Sequence, residues 1–156
     1  MPKSLLSLFA GLALASAVPL VQAAGAADQI KVDDAYARAV PPGQPNSAAF
    51  GRISNLGSQA HALVDAKSPV AKVVELHTHL MEDGVARMRR VEKIDLPANG
   101  SVELKPGGLH IMLIGLEHQL QADERIPLTL RLEDGSEIQL ETPVRGIQPM
   151  PAGHQH

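Results

Sequence analysis

The chain has 156 residues, a mass of 16.5 kDa and a formal net charge of −3, with 44% hydrophobic, 20% charged and only 2% aromatic residues. That size fits one domain and the apolar fraction excludes a disordered chain; the mildly acidic balance and the scarcity of stacking side chains argue against a nucleic-acid partner. The absence of cysteine excludes disulfides, thiolate metal sites, iron–sulfur clusters, thiol catalysis and a thiolate-ligated blue-copper centre.

Lys3 precedes an apolar run from Leu5 to Leu14, followed by Ala15-Ser16-Ala17 and Val21-Gln22-Ala23-Ala24. A basic start, a short apolar segment and small residues at the −3 and −1 positions read as a signal peptide over residues 1–23, cleaved after Ala23. The uncharged stretch from Ser4 to Ala27 is long enough to span a bilayer, but Gly11 and Pro19 interrupt it. Export is therefore expected, most simply to a bacterial periplasm, with no stable membrane insertion after cleavage.

Residues 24–145 read as one β domain. From Ile30 onwards no 3.6-residue apolar period is sustained; alternating runs are cut by Gly, Pro, Asn and Asp. Strands are expected over Ile30 to Val40, Ala48 to Ser54, Ala60 to Ala66 and Val70 to His79. A Glu82-Asp83-Gly84 turn follows, then a return strand from Val85 to Val91. Val102 and Leu104 alternate between Pro97-Ala98-Asn99-Gly100 and Pro106-Gly107-Gly108, and Leu109 to Leu116 is an apolar strand of core type. Leu128, Leu130 and Leu132 alternate up to Asp134-Gly135, after which Ile138 and Leu140 resume, the clearest hairpin signal in the chain. Frequent turns between short strands point to a sandwich of two antiparallel sheets. Phe9, Tyr36 and Phe50 are the only aromatic residues, so the core must be aliphatic. Residues 146–156, rich in Pro, Gly and Gln, read as a flexible tail.

The histidines and methionines cluster. His77, Met88, His110 and Met112 fall within one stretch of the chain. His110 and Met112 are two apart on a strand and so share a face, about 6–7 Å apart at Cα. His77 and Met88 flank the Glu82-Asp83-Gly84 turn, where a hairpin register brings them close and a one-residue slip turns either away. Thioether sulfur is soft and imidazole intermediate, a donor set suited to Cu(I) rather than Zn(II), Mg(II) or Ca(II). Four neutral donors leave a site of charge +1, favour the reduced ion and allow exchange. His79 shares the face of His77 if the strand persists; it reads as an exposed histidine, with an alternate ligand as the other reading. Met81, near the turn, reads as a shield for the metal or as simply exposed; His61 and His118 carry no pattern; Arg87, Arg89 and Arg90 read as a solvated strand face, with docking of an acidic partner as the other reading. Met150, His154 and His156 in the tail form a candidate second, weak copper site.

The spacing H-x10-M-x21-H-x-M over His77, Met88, His110 and Met112, with Val74-Glu75-Leu76-His77, Met81-Glu82-Asp83-Gly84-Val85 and Leu104-Lys105-Pro106-Gly107-Gly108-Leu109-His110-Ile111-Met112-Leu113 around it, resembles the periplasmic PCu(A)C copper chaperones. The resemblance runs from about Ile30 to Val144. It implies a cupredoxin-like antiparallel β-sandwich that binds one Cu(I) at His77, Met88, His110 and Met112. It also implies delivery of copper towards the CuA centre of cytochrome c oxidase, through subunit II or another assembly factor. Ala86 departs from relatives that often carry a further Met there. Some members have C-terminal His- and Met-containing extensions that bind Cu(II), the role the resemblance suggests for Met150, His154 and His156. Two other readings stay open on the residues alone: a copper-dependent enzyme, and a structural or adhesion sandwich without a metal role. The chain carries no H-E-x-x-H, Gly-x-Ser-x-Gly or phosphate-loop motif, and enzymatic activity is not expected.

Overall fold

Period-2 alternation becomes strand along most of the chain. The structure is a computed structural model that describes residues 24–146; the expected signal peptide and Met150, His154 and His156 lie outside the described residues. After a 3-10 turn at Ala26–Gln29 come β1 (Ile30–Arg38), β2 (Asn46–Asn55), β3 (His61–Lys67), β4 (Ala71–Glu82) and β5 (Val85–Arg90). The remainder is β6 (Ile94–Leu96), β7 (Ser101–Leu104), β8 (His110–Leu116), β9 (Arg125–Leu132) and β10 (Glu137–Arg145). Among the described residues no helix is long and apolar enough to cross a membrane.

The strands run in the order β5-β4-β8-β2-β1-β10-β9-β3-β6, with β7 also paired to β2. The fold is all-β and mostly antiparallel, as expected. The exception is the β1–β10 seam, which is parallel at Ala37↔Val144 and Arg38↔Arg145. One wall of the sandwich is β5-β4-β8-β2-β1 and the other β10-β9-β3-β6. Leu76, Ile111, Leu113 and Ile53 of the first pack against Leu63, Leu96, Leu128, Leu130 and Leu132 of the second, all at most 3% exposed. Burying each such side chain contributes about 1.5–3 kcal/mol, so stability resides in this aliphatic layer. β6 is absent from the expected elements: three residues are too short to show alternation, although Ile94 and Leu96 are buried. β5 is exposed along its whole length, and Arg87, Arg89 and Arg90 blunt this edge against further strand pairing.

Two irregularities shape the outer face of the first wall. Between Asp33 and Tyr36 the β1–β2 register shifts, with Asp34 at φ 52°. Before this bulge Val32 is paired with Ile53 of the core; after it Tyr36 is paired with Phe50 on the opposite face, their ring centroids 5.2 Å apart. An inserted residue reverses the facing of all that follows. Gly51 makes the bulge possible. It sits at φ +155°, and a Cβ there would stand 3.0 Å from Ala35 Cα and 3.2 Å from the Asp33 carbonyl oxygen, both backbone atoms. Gly51→Ala is expected to lower stability by about 1–3 kcal/mol, read as a lower urea midpoint at unchanged slope.

The second irregularity lies between β7 and β8, which continue one another along the same edge of β2. Leu104 pairs with Gly51 and Ile111 with Ala49, so the chain from Lys105 to His110 stands opposite Phe50 alone. Most of that segment is extruded as a loop beside the ring.

Candidate metal centre

Strand register brings the sequence-predicted residues together. Across β4–β8, Glu75 pairs with Met112, Leu76 with Ile111 and His77 with His110. Across β4–β5, His77 pairs with Arg90 and His79 with Met88. Glu75, His77, His79, Met88, His110 and Met112 therefore share one face of three neighbouring strands, the face turned away from the aliphatic core. His77 sits at the centre, with His110 directly opposite on one side. Met112 and Met88 are its diagonal neighbours, at positions about 7–8 Å away.

The imidazoles are oriented by their neighbours. The ring centroid of His110 lies 5.8 Å from that of His77 and 5.2 Å from that of His79, with Phe50 behind it at 6.3 Å. Only 2% of His110 is exposed. Its Nδ1 lies 2.9 Å from the Gly108 carbonyl oxygen, which can only accept, so Nδ1 carries the proton and Nε2 keeps a bare lone pair. The Pro106-Gly107 turn places that carbonyl. Proline suits the first central position of a type II turn and Gly107, at φ +80°, the second, while the Gly108 N–H donates to Lys105 O at 3.0 Å. Burial, the largest influence, holds the His110 pKa below the usual imidazole range; His79, His77 and Arg38 push the same way, while the Gly108 bond opposes. His110 therefore stays neutral at neutral pH.

His77 Nε2 lies 2.8 Å from Glu75 Oε2. A carboxylate can only accept, so Nε2 donates, and in the neutral ring Nδ1 carries the lone pair. His77 Nδ1, His79 Nδ1 and His110 Nε2 are all buried with no hydrogen-bond partner. Orphaned buried nitrogens are costly unless something ligates them, and two thioethers stand on the same face. This set fits a soft ion bound by nitrogen and sulfur. Among the described residues no three His, Cys, Asp or Glu side chains form a ready-made metal site.

A cavity of about 450 Å³ opens against this face, lined by His79, Met88, His110 and Met112 together with Val40 and Pro41. His77 does not line it; His79 does. His79 is half-buried and turned into the cluster, not the exposed histidine expected from sequence. The signal was its even spacing from His77, which guarantees a shared face once β4 runs on to Glu82. Met88 is 41% and Met81 71% exposed. Tyr36 and Phe50 also belong to the site's surroundings, a role sequence alone did not show: Arg38 lies over Phe50 at 5.2 Å and Arg145 over Tyr36 at 4.6 Å.

His61, His118, Arg87, Arg89 and Arg90 have local partners, although His61 Nε2 is also buried without one. His61 Nδ1 bonds Glu133 at 2.6 Å and His118 Nε2 bonds Glu124 at 3.2 Å. Glu82 holds Arg89 through two bonds, at 3.1 and 2.7 Å, and Arg87 at 3.3 Å, while Arg90 reaches Glu75 at 3.7 Å.

Residues 30–144 match the family described as "Putative lipoprotein LpqE-like". The chain is 37% identical over 120 residues to "Putative lipoprotein Lxx21020" of Leifsonia xyli subsp. xyli (strain CTCB07), covering 76% of this chain and 71% of that protein. Among solved structures it is similar to the Cu(I) form of DR1885 from Deinococcus radiodurans, at 33% identity and a TM-score of 0.60, covering 73% of this chain and 78% of that one. It is also similar to the copper-bound PCuAC domain from PmoF2, with a TM-score of 0.65 and coverage of 76% and 93%. The identity there is 22%, so that likeness speaks to the fold alone.

Proposed function

This chain belongs to the LpqE-like, or PCu(A)C, family, and we propose that it is an exported metallochaperone that binds one Cu(I) through His77 Nδ1, His110 Nε2 and the sulfurs of Met88 and Met112. One observation carries the reading: bare, buried imidazole nitrogens share a sheet face with two thioethers. The Cu(I) form of the Deinococcus radiodurans relative supports the same ion. Soft neutral donors hold Cu(I) and release it to a competing donor set, because no bond is to a thiolate. Met88 is the exposed member, on the edge strand, so exchange starts there: an incoming ligand displaces its sulfur while His110 still holds the ion. The recipient in this reading is the CuA centre of cytochrome c oxidase, through subunit II or another assembly factor. Export to the periplasm follows from the leader read at residues 1–23 and agrees with the lipoprotein naming of the Leifsonia relative.

Anaerobic titration against a chromophoric Cu(I) chelator tests the reading. One equivalent of Cu(I) is expected to move to the protein, and stoichiometric Zn(II) is not expected to displace it. A protein that leaves all copper on the chelator overturns the proposal and favours a sandwich without a metal role.

A further inference from the structure

We propose that His79 is a third imidazole ligand, which lets the same face accept Cu(II) as well as Cu(I). The inference rests on the metal-site reading above and goes beyond it. His79 pairs directly with Met88, and its ring centroid is 5.2 Å from that of His110, nearer than the 5.8 Å of His77. An ion about 2.0–2.1 Å from an imidazole nitrogen lies roughly 3.2 Å from the ring centroid, so two rings meeting it at a tetrahedral angle stand about 5.2 Å apart. Both observed separations from His110 suit a shared ion. His79 Nδ1 is buried with no hydrogen-bond partner, and unlike His77 the residue borders the cavity.

Ligand chemistry then divides the cluster by valence. Cu(II) prefers nitrogen, and Cu(I) tolerates or prefers thioether. Three imidazoles make a nitrogen-rich set around His110, while Met88 and Met112 complete a softer one with His77 and His110. Because no three such side chains among the described residues form a finished site, the Cu(II) set requires the rings to turn about their side-chain torsions, for which the cavity beside His79 leaves space. Each set holds its own ion, and neither changes oxidation state at the site.

The test uses the full chain with His154→Ala and His156→Ala in every sample, so that the tail imidazoles do not contribute. One equivalent of Cu(II) is added in glycine buffer to this parent, to His79→Ala and to the bulkier His79→Asn. Affinity is read by glycine competition, the coordination by electron paramagnetic resonance, and Cu(I) affinity by the chelator titration. The parent should bind Cu(II) with hyperfine structure from three nitrogens. Both variants should lose at least tenfold in Cu(II) affinity and show two nitrogens, while Cu(I) affinity changes less than threefold, which also shows the fold intact. A parent that takes no Cu(II), or variants with its affinity and spectrum, overturns the assignment of His79. An equal loss of Cu(I) overturns the division by valence. Failure of the parent to bind Cu(I) would instead sink the chaperone reading.

Discussion

His110→Ala is expected to weaken Cu(I) binding by more than about a hundredfold, the largest loss of any single change in the site. An outer partner of a metal ligand is by itself worth about 10–100-fold in affinity, and loss of the ligand removes that and the bond. His110 is the buried hub: 2% exposed, its tautomer set by Gly108 O, its ring within 5.8 Å of two other imidazoles. The methionines should follow in order of burial. Met112→Leu lies mid-strand between Ala48 and Glu75 and should cost more than Met88→Leu, whose side chain is 41% exposed on the edge strand, where other donors can enter. His77→Ala should fall near His110→Ala. The chelator titration reads all four. The leucine variants keep the volume of the side chain and touch none of the aliphatic layer, so thermal unfolding of the apo forms should stay near that of the parent. Equal Cu(I) affinity across the four variants and the parent would reject these residues as ligands.

Legibility from sequence followed the range of the physics. Leu128, Leu130 and Leu132, Asp134-Gly135, then Ile138 and Leu140 were readable because alternation and the turn are written in adjacent residues; the hairpin forms with Leu130 opposite Ile138 and Leu128 opposite Leu140. The shared face of His110 and Met112 was equally local. What one sequence did not contain was the pairing between strands. Nothing adjacent to Ala37 specifies Val144, so the parallel seam was missed. The β4–β5 register puts His79 and not His77 opposite Met88, a result of the two-residue Asp83-Gly84 turn that extends β4 three residues past its expected end at His79 to Glu82. Facing along β1 was hidden for a third reason. The bulge over Gly51 reverses it between Val32 and Tyr36, so Tyr36 leaves the core side and joins Phe50 on the face of the histidine–methionine cluster. The spacing of His77, Met88, His110 and Met112 singled out the candidates, and the pairings put them on one face beside the residues that orient the rings.

Glu75 is one of those residues, and its removal carries the second large expected effect. Its Oε2 accepts the Nε2–H of His77 at 2.8 Å, while its Oε1 lies 3.7 Å from Arg90. The carboxylate does two things for the ligand. In the proposed site it fixes the proton on Nε2, leaving the buried Nδ1 as the donor atom, and it places a negative charge behind the ring, which favours a bound cation. It also offsets Arg90, which stands directly opposite His77 and would otherwise face the incoming cation. At 23% side-chain exposure for Glu75 and 14% for His77, solvent cannot supply an equivalent anchor to both. Glu75→Ala should therefore reduce Cu(I) affinity by about 10–100-fold. Glu75→Gln should lose less, because an amide oxygen still accepts from Nε2–H although the charge is gone. The chelator titration separates the two contributions: the step from Glu to Gln reports charge, and the step from Gln to Ala reports orientation. Raising the ionic strength should shrink the first step and leave the second, since salt screens the field of Arg90 but not a hydrogen bond. If Glu75→Ala binds Cu(I) as tightly as the parent, His77 does not coordinate through Nδ1, and the ion is held by His110 and the other donors of the face.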